Sequence, residues 1–401
     1  MSESRKTLLF LTTDVPYPAD SGGRLKSFKL LERLSKDYEV KLLCAYGGER
    51  QKDVKALRNV VDIASIQAFQ NHLPRTPFHF LNAIMTSPSF NAYRIYSKEL
   101  ETMVKWSSEA ADIALLDHLE MVHVLPEKLD TPIVYHSHNA EYILWEEYAR
   151  IKGNFLTSWL FEWESDRVKL LERYAMRRAR FTFAAPNDAE KLKQIPGTEK
   201  VELRNTYHLG MDELIELPDI NLESNPQNVF YAGTLNWEPN RDGLQWFIQK
   251  CWPGIRAKHP QAEFHVCGKG GDQSLKTIMG HTEGVTYHGF VKDLESIMSK
   301  SRCAVVPLRM GSGMKIKTFD ALYRGLPLVT TNAGAEGIQI ENKTHAWVVN
   351  DSDSFIKAVN STLHDTKTST TMRDNARQLC KEQYRYSELL DVMAQDIRAI
   401  N

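Results

Sequence analysis

Residues 309–320, RMGSGMKIKTFD, place Arg309, Lys315 and Lys317 around a short glycine loop formed by Gly311, Ser312, Gly313 and Met314, with Asp320 just beyond. A glycine loop that leads into a helix offers unblocked backbone N–H groups and the positive end of a helix dipole. Two or three cations at the same corner complete a site suited to a diphosphate. Asp320 follows Lys317 by three residues and would share its helix face. There its carboxylate could accept two hydrogen bonds from a vicinal diol such as a ribose. The stretch is not a P-loop, because G-x-x-x-x-G-K-[ST] is not met. The plainer alternative is a surface pair between Lys317 and Asp320.

Three further groups fall where strands give way to helices. DVPYPADSGGRLKSF (14–28) carries Gly22 and Gly23 at a helix start, without the G-x-G-x-x-G of a dinucleotide site. LLDHLE (115–120) presents Asp117 and His118, and YHSHNAE (135–141) presents His136, His138, Asn139 and Glu141. Polar residues gathered at neighbouring strand ends of one sheet read as a ligand site. Metal binding is not expected: His136 and His138 are assigned to opposite sides of a strand, and no partner has ligand spacing. No cofactor motif is present.

These residues need a scaffold that brings strand ends together. Apolar runs at 7–12, 40–44, 113–116, 132–135 and 181–184 alternate with helical patterns, and runs at 229–233, 264–268, 285–289, 303–307 and 327–331 repeat the arrangement. Phe28, Leu31 and Leu34 mark one helix face between the first two runs, and 141–180 reads as one or two long helices. This is the pattern of parallel sheets covered by helices, with ligands at the carboxyl ends of strands. The polar stretch 213–228, ELIELPDINLESNPQN, has linker composition. The expectation is two similar α/β domains in tandem and an amphipathic C-terminal helix.

Bulk properties narrow the function classes. The chain has 401 residues, 42 % hydrophobic and 25 % charged, with a formal net charge of −1. That balance gives no global field for nucleic acid. Five scattered cysteines without a C-x-x-C pair argue against a disulfide framework or zinc site. The N-terminal run LLFLT is too short for a signal peptide, and no stretch reaches the length of a membrane span, so a cytoplasmic protein is expected. Residues 73–96, rich in aromatics and poor in charge, leave open a peripheral membrane contact at the inner face, although core packing of an irregular helix is the simpler account.

Taken in order, PADSGGRLKSFKLLERLSKDYEVKLL (18–43), HNAEYILWEE (138–147), LLERYAMRRARFTFAAPNDAEKL (170–192), FYAGTLNWEPNRDGLQWF (230–247) and 288–338 resemble the retaining, nucleotide-sugar-dependent glycosyltransferases of family 4. The resemblance implies the GT-B fold: two Rossmann-like domains facing each other across a cleft, with the last helix packing back on the first domain. It implies an acceptor domain over 1–215, a linker over 216–228, a nucleotide-sugar domain over 229–375 and a final helix over 376–401. The donor would be held by Gly22, Gly23, Arg241, Arg309, Gly311, Ser312, Gly313, Met314, Lys315, Lys317 and Asp320. Asp117, His118 and His138 would serve catalysis on the acceptor side. The implied partners are a nucleotide-diphosphate sugar and a glycan, glycolipid or small-molecule acceptor, with no metal and no nucleic acid. The family's signature is two glutamates separated by seven residues; here Asp320 stands at the second position and Ser312 at the first. A nucleotide-sugar epimerase and a non-catalytic two-lobed binding protein are the alternatives.

Overall fold

A computed structural model describes residues 5–47, 51–74, 76–152, 155–206, 208, 212–311 and 313–400. The chain forms two compact units, Met1–Tyr207 with Glu388–Asn401, and His208–Ser387.

The first unit is built on a seven-stranded parallel sheet in the order β3-β2-β1-β4-β5-β6-β7. Its strands are β1 (Thr7–Thr12), β2 (Glu39–Tyr46), β3 (Ser65–Gln70), β4 (Ile113–Leu116), β5 (Ile133–His136), β6 (Phe181–Ala184) and β7 (Leu203–Asn205). The central strands are covered on both faces, which is why TLLFLT and IALL are continuous apolar runs and not alternating ones. Helix Gly22–Leu34 buries Phe28, Leu31 and Leu34 as the spacing predicts. The 141–180 region resolves into two helices, Glu141–Lys152 and Phe155–Arg178. The buried Glu172 of the second accepts the Glu141 backbone N–H at 2.7 Å and so caps the first.

The second unit carries a six-stranded parallel sheet, β10-β9-β8-β11-β12-β13. The strands are β8 (Val229–Ala232), β9 (Phe264–Cys267), β10 (Val285–Gly289), β11 (Cys303–Val306), β12 (Leu328–Thr330) and β13 (Trp347–Val348). Helix Ile316–Arg324 packs Phe319, Leu322 and Tyr323 into the core and stops at Gly325, whose φ of 70° supplies the left-handed cap.

The expected linker is corrected. Leu214, Ile215, Ile220 and Leu222 are core residues of the second unit. Arg377 donates to the Leu217 carbonyl at 3.0 Å and Arg373 to the Ile220 carbonyl at 3.1 Å, so residues 215–220 are strapped to helix Thr366–Gln383. The polar composition of this stretch reflects mainly its solvent-facing residues, while Asn225 and the buried Asn228 are bonded into the unit. The C-terminal pattern is two helices, Thr366–Gln383 and Tyr386–Arg398, not one. The second buries Met393 and Ile397, pairs Asp396 with Arg204 at 2.9 Å, and is followed by Ile400, whose carbonyl accepts from Lys6 at 3.4 Å.

Candidate functional site

In the second unit, β11 runs out into the glycine loop and then helix Ile316–Arg324, at the carboxyl edge of the sheet. Gly311 and Gly313 hold φ of 117° and 79°, values that L-residues with a side chain rarely adopt. Ser312 lies outside the described residues.

Lys315 is not the free phosphate cation that the sequence suggests. Its side chain is 4 % exposed, and its ammonium donates to the Gly311 carbonyl at 3.1 Å, to the Gly313 carbonyl, and to Glu336 Oε2 at 3.4 Å. Among the described residues its ammonium meets two loop carbonyls and a carboxylate of the protein itself, so Lys315 is the clamp that shapes the loop. Arg241 is likewise engaged, with Glu238 and with Asp272 at 3.0 Å. Arg309 makes a bidentate pair with Asp242, its Nε at 2.9 Å, while remaining partly exposed.

Lys317 and Asp320 line one small cavity with Phe230, Tyr231, Leu294 and Met298. The Lys317 ammonium donates to Asn240 Oδ1 and lies 5.1 Å over the Tyr231 ring. Burial, with the charge of Lys315 added, lowers its pKa to about 7. Asp320 is raised to about 7 by burial, and its Oδ1 has no hydrogen-bond partner among the described residues. The two form no ion pair with each other among the described contacts, so the surface-pair alternative does not hold. A buried carboxylate oxygen left without a donor costs free energy unless something else supplies one.

In the first unit, Asp117 follows β4, fully buried, with its N–H on the Leu11 carbonyl at 2.8 Å. Three histidines converge on it. His136 Nδ1 is 2.8 Å and His138 Nε2 3.2 Å from Oδ1, while His118 Nδ1 is 3.4 Å from Oδ2. The expectation that His136 and His138 diverge is corrected, because residues two apart along extended chain share a face. His118 and His138 stack with ring centroids 4.2 Å apart. Burial lowers all three imidazoles to about 4, while the surrounding His138, His136 and His118 hold Asp117 well below the usual carboxylate range despite burial. At neutral pH the cluster is one carboxylate and three neutral rings.

Asp117, His136 and His138 bring their ligand atoms within 4.8 Å of one another, a set that could accept a cation. The Asp117 Oδ1 position is already filled by two ring donors, and the positive charge of Lys26 acts on both His136 and His138, which opposes a second cation. Gly22 and Gly23 begin helix Gly22–Leu34 in this same unit, exposed, next to a loop that Arg24 ties down through Asp14 and Asp20. Thr12, Lys26 and Thr206 are site neighbours that motif reading passes over. Thr206 Oγ1 sits 2.8 Å from His136 Nε2 and Thr12 Oγ1 3.0 Å from His118 Nδ1. The one signal for Thr12 was its place at the end of β1.

The glycine loop, the helix that follows it and the cavity all fall inside one stretch. Residues 226–365 match the family model described as glycosyl transferases group 1. Over nearly its whole length the chain is 21 % identical to an uncharacterized 44.6 kDa protein in the cps region of Klebsiella pneumoniae, covering 94 % of this chain and 96 % of that one. Among solved structures it is similar to Anabaena Alr3699/HepE in complex with UDP-glucose, at 16 % identity and a TM-score of 0.68 over 98 % of this chain and 100 % of that one. It is similar at the same TM-score of 0.68 to WaaG, a glycosyltransferase involved in lipopolysaccharide biosynthesis, with 14 % identity and 98 % and 100 % coverage. Sucrose-phosphate synthase of Thermosynechococcus elongatus gives 0.68 at 13 % identity, with 98 % of each chain covered. The fold is that of the GT-B glycosyltransferases.

Proposed function

We propose that this protein is a retaining glycosyltransferase of the family 4 type, which moves a sugar from a nucleotide-diphosphate sugar to a glycan, glycolipid or small-molecule acceptor. The observation that carries the reading is the buried Asp320 carboxylate oxygen beside Lys317, which has no hydrogen-bond partner among the described residues, at a glycine loop within the family-matched stretch. A ribose diol would supply the donors that Asp320 lacks, and a diphosphate would find Lys317, Arg309 and the loop N–H groups.

In the transfer, an acceptor hydroxyl oxygen bonds to the anomeric carbon as the bond from that carbon to the diphosphate oxygen breaks. The electron pair leaves with the nucleoside diphosphate. Stabilising that departing charge is the largest contribution expected from the protein, and Lys317 is the residue best placed to provide it. In the first unit, Asp117 with His118 and His138 is assigned to the acceptor side, where neutral imidazoles can accept a hydroxyl proton. A polysaccharide-building, cytoplasmic role at the inner face of a membrane fits the exposed Phe78, Leu81 and Met85 along one side of helix Pro77–Thr86.

The test is a thermal-shift survey with UDP-, GDP- and ADP-sugars followed by product analysis. One nucleotide series should raise the midpoint, because a ligand that binds only the native state stabilises it. A flat response across all three series overturns the proposal.

A further inference from the structure

The loop that precedes Asp320 has a serine, residue 312, where the resembling family has its first glutamate. The site nevertheless has a carboxylate beside it. Glu336 comes from a different segment, the residue that ends the short helix Asn332–Ala335. Its Oε2 lies 3.4 Å from the Lys315 ammonium, the same group that holds the Gly311 and Gly313 carbonyls.

The position of Glu336 is fixed by what surrounds it. Thr331 Oγ1 donates to the Leu308 carbonyl and accepts the Gly334 N–H at 3.1 Å, tying this segment to the residues that follow β11. Thr318 Oγ1 donates to the Gly334 carbonyl at 2.7 Å, tying it also to the first turn of helix Ile316–Arg324. Gly334 sits so close that an added Cβ would lie 2.1 Å from Thr330 Oγ1 and 2.8 Å from the Val306 carbonyl, so no other residue fits without a shift. The side chain of Glu336 keeps 21 % of its surface exposed, so it is held at the rim of the loop and not enclosed in the core.

We infer that Glu336 is the sugar-facing carboxylate of this donor site, a role for which the sequence supplies no carboxylate at position 312. The inference rests on the proposed function. A carboxylate held beside a lysine-clamped phosphate loop can accept hydrogen bonds from the hydroxyls of the transferred sugar next to the diphosphate, whereas the free nucleoside diphosphate lacks that sugar and its ribose hydroxyls are assigned to Asp320. Lys315 has a double part, shaping the loop and holding Glu336 in place.

The experiment compares Kd values for UDP with UDP-glucose, GDP with GDP-mannose and ADP with ADP-glucose, in the wild type and in Glu336→Gln and Glu336→Asp. For the series the wild type binds, Glu336→Gln should weaken the sugar nucleotide about tenfold and leave the free nucleoside diphosphate within about twofold, as loss of one charge-assisted hydrogen bond predicts. Glu336→Asp, which keeps the charge beside Lys315, should fall between the two. Equal weakening of both ligands would assign Glu336 to loop architecture alone and overturn the inference, as would unchanged affinity for both. A wild type that binds no member of the panel would remove the proposed function, and this assignment with it.

Discussion

Asp117 Oδ1 and His136 Nδ1 are 2.8 Å apart, and both side chains are completely out of solvent. With the carboxylate ionised, His136 donates through Nδ1, which leaves Nε2 to accept from Thr206. His138 donates through Nε2, and its other ring nitrogen carries no hydrogen bond among the described contacts. One buried anion thereby selects the tautomers of two histidines.

The first prediction concerns acid stability. The histidines titrate near 4 in the folded chain and near 6.5 unfolded, so the unfolded state binds more protons between those values. Stability should therefore fall as pH drops from about 6.5 to 4, at up to about 1.4 kcal/mol per pH unit for each proton. Urea unfolding across this range should show that slope, and His136→Asn should reduce it by about one proton.

Asp320→Asn should separate stability from binding. Because the folded pKa is raised to about 7, the native state holds a proton that the unfolded chain has released, and stability is lost as pH rises from about 4 to 7. The amide removes that penalty, so the variant should be at least as stable as the wild type at pH 8. Its nucleotide affinity should nonetheless fall about tenfold by calorimetry.

Lys317 should couple nucleotide binding to proton uptake. With its pKa lowered to about 7, a share of the free protein carries a neutral amine at neutral pH, and a bound diphosphate favours the ammonium. Titrations in buffers of different ionisation enthalpy should reveal protons taken up near pH 7.5, and Lys317→Met should abolish the uptake and weaken binding about tenfold.

Lys315→Met should act on the fold before it acts on the ligand. Two loop carbonyls and Glu336 lose their donor, at a cost of about 1–3 kcal/mol. A lowered unfolding midpoint without any nucleotide present would show it.

Membrane contact has its own test. Phe78, Leu81 and Met85 are 68 %, 63 % and 82 % exposed on helix Pro77–Thr86. Replacing all three by serine should reduce co-sedimentation with anionic vesicles several-fold and leave the unfolding midpoint nearly unchanged, since exposed side chains contribute little to stability.

The ten strands that the apolar runs mark are all present. Nine are central in their sheets, where burial on both sides demands apolar residues throughout, and the tenth, β10, is an edge strand that alternates half-buried and exposed residues. The three that the runs did not mark, β3, β7 and β13, are sheet-edge strands in which polar or half-exposed residues interrupt the signal. At the site, Lys317 and Asp320 were legible from loop-to-helix spacing. Lys315 reads as a phosphate cation in sequence because its charge is visible there while its acceptors are not. The convergence of His118, His136 and His138 on Asp117 depends on the parallel pairing of β4 with β5, and Glu336 is brought to the glycine loop by tertiary ties that include those of Thr318 and Thr331.

The first unit is interrupted in sequence, closing only with Glu388–Asn401. During synthesis its leading 207 residues would emerge long before the helix that contributes Met393 and Ile397 to their core. Residues 208–387 can meanwhile fold as a unit of their own. Loss of Glu388–Asn401 should for that reason damage the unit built on Met1–Tyr207, although the whole of the second unit lies between the two segments in sequence.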